Sequence, residues 1–337
     1  MTLKSKILGT GSALPKKIIT NDDLSKVVDT TDEWISSRTG IRERRIALDG
    51  KTSELAARAA KEAIKAAGLS AKDIDLVITG TVTPDMAFPS TSCFVQLELG
   101  LRAGIPAFDL SAACSGFLYA LDVADNFIRS KSAKNVLVIG VDLFSKIVDW
   151  KDRSTCVLFG DGAGAVVLGA TKSKAGILSS KLFSDGRKWE LLYSPQDKNR
   201  TPFEDVKSKA KSAKNSKDST SDSTLKMKGN EIFKLAVRSM GSAVSEALKE
   251  ARLKPSDISL LIPHQANNRI IKAMQQRLKL SDAQVFSNIE KYGNTSAASI
   301  PIALDEAVKS GRVKRGNNLI LVAFGGGLTW ASTVIKW

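Results

Sequence analysis

Two stretches of this chain recur, in order, in its second half, and that recurrence restricts the fold more than any other feature of the sequence. Ala67-Gly68-Leu69 followed by Asp73-Ile74-Asp75-Leu76-Val77-Ile78 returns as Ala251-Arg252-Leu253 and Asp257-Ile258-Ser259-Leu260-Leu261-Ile262. At nearly the same offset, Ala120-Leu121-Asp122 leading to Val136-Leu137-Val138 matches Ala303-Leu304-Asp305 leading to Ile320-Leu321-Val322. Within residues 53–67, Leu55, Ala56, Ala59, Ala60 and Ala63 share one side at helical spacing, and the apolar run Leu76-Val77-Ile78 reads as a buried strand. Helices alternating with buried strands, twice over, predict two fused α/β halves of similar topology whose sheets are covered on both faces. The halves are expected at residues 1–172 and 173–337, and a chain of 337 residues is long enough for both.

Composition serves mainly to exclude. With 43% hydrophobic and 25% charged residues the chain has the balance of a folded globular protein rather than a disordered one. No run approaches the roughly 20 apolar residues of a membrane span, and Met1 to Ile7 lead into strand-like sequence rather than a signal peptide, so a cytoplasmic protein without a membrane partner is expected. Cys93, Cys114 and Cys156 have no paired spacing, which fits a reducing compartment and offers neither a disulfide framework nor a metal pair. The net charge of +15 favours acidic partners: a phosphorylated cofactor, an acidic carrier protein or nucleic acid. No helix-turn-helix, aromatic RNA-binding motif or zinc-finger spacing is present, so no nucleic acid partner is expected, and a generally basic surface accounts for most of the 50 Lys and Arg residues. Residues 204–224 interrupt the α/β pattern. They are mostly Lys, Ser, Asp, Thr and Ala with only Val206 to bury, which predicts a solvated surface insertion; the alternative is a basic docking arm built on Lys207, Lys209, Lys211, Lys214 and Lys217.

Four positions carry chemical potential. Cys114 lies in Ser111-Ala112-Ala113-Cys114-Ser115-Gly116-Phe117, small residues that open a helical run, and a helix N-terminus favours thiolate over thiol. A cysteine among alanines is otherwise a small buried hydrophobe. His264 is the single histidine of the chain and follows the strand 260–262, at the kind of strand end where α/β sheets present functional groups; a packed or surface histidine is the plainer alternative. Asn294, in Gly293-Asn294-Thr295-Ser296-Ala297-Ala298-Ser299, occupies in the second half the place of the Cys114 loop in the first, or else caps the helix that follows. Phe324-Gly325-Gly326-Gly327 lets backbone N–H groups approach a ligand closely, or forms a tight loop. Gly160-Asp161-Gly162-Ala163-Gly164-Ala165 runs into the strand-like Val166-Val167-Leu168 and not into a helix, which excludes a dinucleotide loop.

Taken together these residues resemble the β-ketoacyl-acyl carrier protein synthase III family. The likeness rests on Asp32-Glu33-Trp34-Ile35-Ser36-Ser37-Arg38-Thr39-Gly40-Ile41, Ala113-Cys114-Ser115-Gly116-Phe117, Phe159-Gly160-Asp161-Gly162-Ala163-Gly164-Ala165, His264-Gln265-Ala266-Asn267 and Gly293-Asn294-Thr295-Ser296, in family order over nearly the whole chain. The insertion at 204–224 and Ser154, where family members often carry Gly, depart from the pattern. The resemblance implies a thiolase-like five-layered αβαβα sandwich of two duplicated halves, usually a homodimer. It also implies an acyltransferase in which Cys114 takes an acyl group from acyl-CoA, and His264 and Asn294 stabilise the enolate left when malonyl-acyl carrier protein loses carbon dioxide. Backbone N–H groups of Cys114 and Gly326 would form the oxyanion hole. No metal or redox cofactor is implied; acyl-CoA is a substrate.

By the same resemblance Trp34 and Arg153 bracket the adenine of CoA, Arg38 meets its phosphates, and Asn230 and Lys234 lie along the pantetheine. Arg269, Lys272 and Arg277 would form a basic rim for the carrier protein. Apart from the resemblance, Phe88, Phe144 and Phe159 are candidate walls of the acyl pocket, and three bulky rings suggest a short primer unless the backbone turns them away. Condensing enzymes of polyketide or quinolone type use the same three residue types. A papain-like thiol hydrolase shares their chain order but leaves the repeat unexplained.

Overall fold

The strands expected from the repeat form two sheets, one from each half, in the computed structural model of the chain, which describes residues 3–195 and 224–337. The first sheet runs in the order Lys4–Ala13, Asp161–Thr171, Asn135–Leu143, Leu76–Gly80 and Ala107–Leu110, antiparallel among its first three strands and parallel among its last three. The second repeats that plan with Gly176–Ser184, Thr329–Lys336, Asn318–Gly325 and Leu260–Pro263. Register matches once the sequence alignment of that strand is shifted by one residue: Leu76 lies opposite Val136 in one sheet as Leu260 lies opposite Leu319 in the other, so Val136 corresponds to Leu319 and not to Ile320. Where the second sheet would have its fifth strand there is a single parallel bridge, Leu261 to Val285.

Successive strand side chains point to opposite faces, so a strand apolar at every position must be covered twice. Leu76, Ile78, Val136 and Val138 face inward to a cluster shared with Leu260, Ile262, Leu319 and Leu321 of the other sheet. Between the sheets lie two buried helices, Gly116–Arg129 and Ser299–Lys309, contributing Phe117, Leu118 and Leu121 from one and Ile300, Ala303 and Leu304 from the other. The alternate residues Val77, Leu137 and Ile139 face helix Thr52–Ala66 through Leu55, Ala56, Ala59, Ala60 and Ala63, the stripe read from the sequence. On the far side Leu261, Ile320 and Val322 meet helices Gly229–Ala251 and Asn268–Leu278 through Ala236, Met240, Val244 and Met274. Helix, sheet, helix, sheet, helix: this is the five-layered sandwich, and each fully buried Leu, Ile or Val in it contributes about 1.5–3 kcal/mol.

The glycine-rich run at 160–164 serves packing. A Cβ on Gly164 would lie 2.7 Å from the backbone nitrogen of Ile302, so the bare strand lets helix Ser299–Lys309 seat directly on the sheet. Among the described residues no helix is long and apolar enough to cross a membrane. Of the insertion expected at 204–224, all but Thr224 lies outside the described residues.

Candidate active site

Both central helices begin at sharp corners, and the corners face each other. Cys114 sits in the tight turn Ala113–Ser115 that leads into Gly116–Arg129; its counterpart Ser296–Ala298 leads into Ser299–Lys309. Each turn opens with a non-glycine residue in the left-handed region, Ala113 at φ 46° and Ser296 at φ 52°, a conformation that costs energy and persists only where packing enforces it. The enforcement is crossed between the halves. The last residue of strand Asn318–Gly325 abuts the Cys114 turn so closely that a Cβ on Gly325 would lie 2.7 Å from the Cys114 nitrogen. Reciprocally, a Cβ on Gly140 of the first sheet would lie 2.3 Å from the carbonyl oxygen of Ala297. Asp142, fully buried, ties the second corner to the first sheet: it accepts from the hydroxyls of Thr81 (3.1 Å) and Thr83 (3.0 Å) and the backbone nitrogens of Val82 (2.8 Å) and Ala297 (3.2 Å).

These corners bring Cys114, His264 and Asn294 onto one cavity of about 1650 Å³. His264 leaves strand Leu260–Pro263 with its Nδ1 2.6 Å from the Ser299 hydroxyl, which leaves Nε2 for the cavity. Asn294 is held by its backbone, its nitrogen donating to Leu158 and its carbonyl accepting from Gly160. Its Oδ1 accepts the backbone N–H of Ser296 at 2.8 Å, which fixes the amide so that the NH₂ group remains for the cavity. The Ser296 hydroxyl approaches the Cys114 sulfur at 3.4 Å.

Burial dominates the electrostatics. It pushes the Cys114 thiol up to about 12; the Ser296 hydroxyl pulls the other way, and the nearby Asp142 carboxylate adds to the rise. The helix N-terminus expected to favour the thiolate is present, but burial outweighs it and the resting group is a thiol. Burial likewise lowers His264 to about 3, so the imidazole is neutral at physiological pH.

The remaining sequence candidates distribute themselves around the cavity. Gly326 lines it, and no acceptor for its backbone N–H is found among the described residues. Trp34 and Arg38 come from helix Asp32–Thr39, and Asn230 and Lys234 from the first turns of Gly229–Ala251; all four line the cavity. Arg153 already lies on the Trp34 ring, 4.7 Å from its centroid, and donates to the Asp29 carbonyl at 2.8 Å; Arg38 covers the same ring at 4.7 Å. A base entering between Trp34 and Arg153 would therefore displace the guanidinium. Arg269, Lys272 and Arg277 are all exposed on helix Asn268–Leu278, but only Arg269 reaches the cavity edge, and Arg277 lies across Gly241 two turns away.

The aromatic trio divides. Phe144 and Phe159 stack at 4.6 Å in a buried cluster with Val148 and Leu225, whereas Phe88 is 83% exposed at the rim and does not wall the buried end within this chain. Sequence reading missed Ser296, Ser299 and Asp142. The two serines stand beside Asn294 in the second half, at positions that the repeat aligns with Ala113 and Gly116, and that difference between the halves is the signal that could have found them.

A duplicated five-layered sandwich with a cysteine from one half facing a histidine and an asparagine from the other defines a thiolase-like condensing enzyme, an acyltransferase. The sequence model for 3-oxoacyl-[acyl-carrier-protein (ACP)] synthase III matches residues 108–186, and its C-terminal counterpart matches 248–337. The chain belongs to this family. It is 51% identical to the β-ketoacyl-[acyl-carrier-protein] synthase III of Aquifex aeolicus over 99% of each chain, and 53% identical to that of Caldanaerobacter subterraneus over 98% of this chain and 97% of the relative. The crystal structure of the Aquifex aeolicus protein superposes with a TM-score of 0.90 over 99% of this chain and all of that one.

Proposed function

We propose that the chain catalyses a decarboxylative Claisen condensation that starts fatty acid synthesis, joining an acyl-CoA primer to malonyl-acyl carrier protein to give a 3-oxoacyl-acyl carrier protein. Cys114 attacks the primer thioester; the sulfur–carbonyl bond forms, CoA leaves as its thiol, and the acyl group stays on the cysteine. Malonyl-acyl carrier protein then loses carbon dioxide while His264 Nε2–H and the Asn294 amide donate to its thioester oxygen, so the enolate forms against fixed donors. The enolate carbon attacks the acyl-Cys114 carbonyl, whose oxygen is met by backbone N–H groups of Cys114 and Gly326; collapse breaks the sulfur–carbonyl bond, and the released thiolate takes a proton from solvent to return the cysteine.

The observation that carries this reading is that His264 and Asn294 are each tied down at one end, by Ser299 and by the Ser296 backbone, which turns both into oriented donors on the cavity of the nucleophile. Trp34, Arg38 and Arg153 would hold the CoA nucleotide, Asn230 and Lys234 the pantetheine, and Arg269, Lys272 and Arg277 the acidic carrier protein. The stacked Phe144 and Phe159 limit the buried end of the cavity, in favour of a short primer such as acetyl-CoA. No cofactor is used beyond the CoA substrate. The two halves, 1–172 and 173–337, act as one unit, in a homodimer working in the cytoplasm.

Intact mass measurement after incubation with acyl-CoAs of graded length tests the scheme. A single acyl adduct on Cys114, strongest for acetyl and discharged by malonyl-acyl carrier protein, is expected. Free acid released with no adduct and no elongation would overturn it.

A further inference from the structure

We infer that Ser299 is a positioning residue that fixes the tautomer of His264, holding the proton on Nε2; the inference rests on the functional reading above. Ser299 opens the central helix of the second half, is buried, and its hydroxyl has two partners among the described residues: His264 Nδ1 at 2.6 Å and the backbone nitrogen of Gln265 at 3.5 Å. A backbone N–H can only donate, so Gln265 claims a lone pair of the serine oxygen and leaves the hydroxyl hydrogen to be given away. Nδ1 is the acceptor within reach. Were Nδ1 itself protonated, two N–H groups would converge on one buried oxygen and the hydroxyl hydrogen would have no acceptor among the described residues, an arrangement that carries the penalty of an unmade buried hydrogen bond. Satisfying all three groups therefore puts the ring proton on Nε2, the nitrogen left for the cavity.

Gln265 is itself clamped, which makes its N–H a fixed reference. Its side-chain NH₂ donates to the Pro263 carbonyl at 2.6 Å, and its Oε1 accepts from the Ser287 hydroxyl at 3.0 Å and the Asn288 nitrogen at 3.1 Å. The strand exit therefore presents the histidine and the backbone donor together, and Ser299 relays between them. A ring set in this way donates at Nε2 and cannot accept the Cys114 proton there, so Ser299 bears on the decarboxylation step more than on acyl loading.

Because His264 is the single histidine of the chain, labelling with [¹⁵N]histidine gives one pair of ring nitrogens. In the wild-type chain the one-bond proton coupling is expected on Nε2, with Nδ1 at the shift of a hydrogen-bonded acceptor. A proton on Nδ1 would overturn the inference without any variant being made. In Ser299→Ala the two nitrogen shifts should move toward each other as tautomers exchange. Decarboxylation of malonyl-acyl carrier protein should fall roughly three- to ten-fold, the worth of one buried hydrogen bond, with loading of Cys114 from acetyl-CoA changed less than about two-fold. Ser299→Thr should restore both shifts and rate. Unchanged shifts in Ser299→Ala, or equal losses in the two half-reactions, would remove Ser299 from this role. If the wild-type chain fails to decarboxylate the substrate at all, the functional reading falls, and the ring spectrum still decides the tautomer.

Discussion

The two halves meet the same structural problem, a strand ending where a buried helix begins, and resolve it in opposite ways. In the first half the corner is closed by Gly80 and Gly116, packed so tightly that a Cβ on Gly80 would lie 2.7 Å from the Gly116 carbonyl carbon. In the second, the positions that the repeat aligns with these hold His264 and Ser299, joined by a hydrogen bond of 2.6 Å. The strand ends differ in the same sense. Asp142 in the first half gathers backbone and hydroxyl donors, whereas the aligned Gly325 is bare so that the Cys114 turn can approach. Duplication supplied two equivalent corners; one is bare around Cys114, and the other holds His264 and Ser299, which in the proposed mechanism serve as an oriented donor and its anchor. On the proposed mechanism the nucleophile comes from one half and the enolate donors from the other, while the acyl oxyanion hole and the pantetheine path draw on both.

The largest test of that division removes each side in turn. Cys114→Ala should form no acyl-enzyme and no condensation product yet still decarboxylate malonyl-acyl carrier protein slowly. Asn294→Ala should acquire the acyl mass normally and lose decarboxylation by roughly two to three orders of magnitude, the usual effect of deleting one such donor. Normal decarboxylation by Asn294→Ala would break the assignment. Next in size, Gly80→Ala forces a methyl group into backbone at the first corner. Acyl loading should drop about a hundred-fold through misplacement of Cys114, and stability by about 1–3 kcal/mol, read from single-turnover mass measurements and urea unfolding. A variant with normal loading would mean that the glycine pair is incidental.

How far these assignments could be read without the fold varies by residue. The strands alternating with helices and the stripe at Leu55 to Ala63 were legible because each depends on neighbours a few positions away, whereas Cys114, His264 and Asn294 stood out only through their motifs' resemblance to a family. Ser296 and Ser299 were not, since one acts on a sulfur from the other half and the other lies beneath a histidine 35 positions earlier. Phe88, expected as a pocket wall, does line the cavity, but at its exposed rim rather than at the buried end beside Phe144 and Phe159. The thiol of Cys114 shows the limit of local reasoning about charge: the helix N-terminus is visible in sequence, whereas the depth of burial that outweighs it belongs to the packed whole.

Burial of both groups also sharpens the comparison through pH. Between its ordinary value of 6.5 and about 3, His264 takes up a proton in the unfolded chain but not in the folded one, so stability is lost on acidification through that window. Cys114 mirrors it, since from 9.0 to about 12 the unfolded chain releases a proton that the folded chain keeps, and stability is lost as pH rises. Urea melts across pH should show His264→Ala flattening the acid limb and Cys114→Ala the alkaline limb, each by up to a few kcal/mol. Identical limbs in wild type and variants would refute the burial account. The smallest effect concerns the rim: added salt should slow the carrier-protein step more than acetyl-CoA loading, because Arg269, Lys272 and Arg277 act through screened surface charge. Equal sensitivity in the two steps would remove these three residues from docking.

The shared central layer also bears on how the chain is made. Synthesis delivers residues 4–171 first, with the inward face of helix Gly116–Arg129 and its sheet complete but lacking the second sheet that covers them. At about 5–20 residues per second the partner strands near the C-terminus arrive roughly ten to thirty seconds later. Through that interval the nascent first half carries a broad oily surface with no counterpart of its own, so its burial waits on the second sheet.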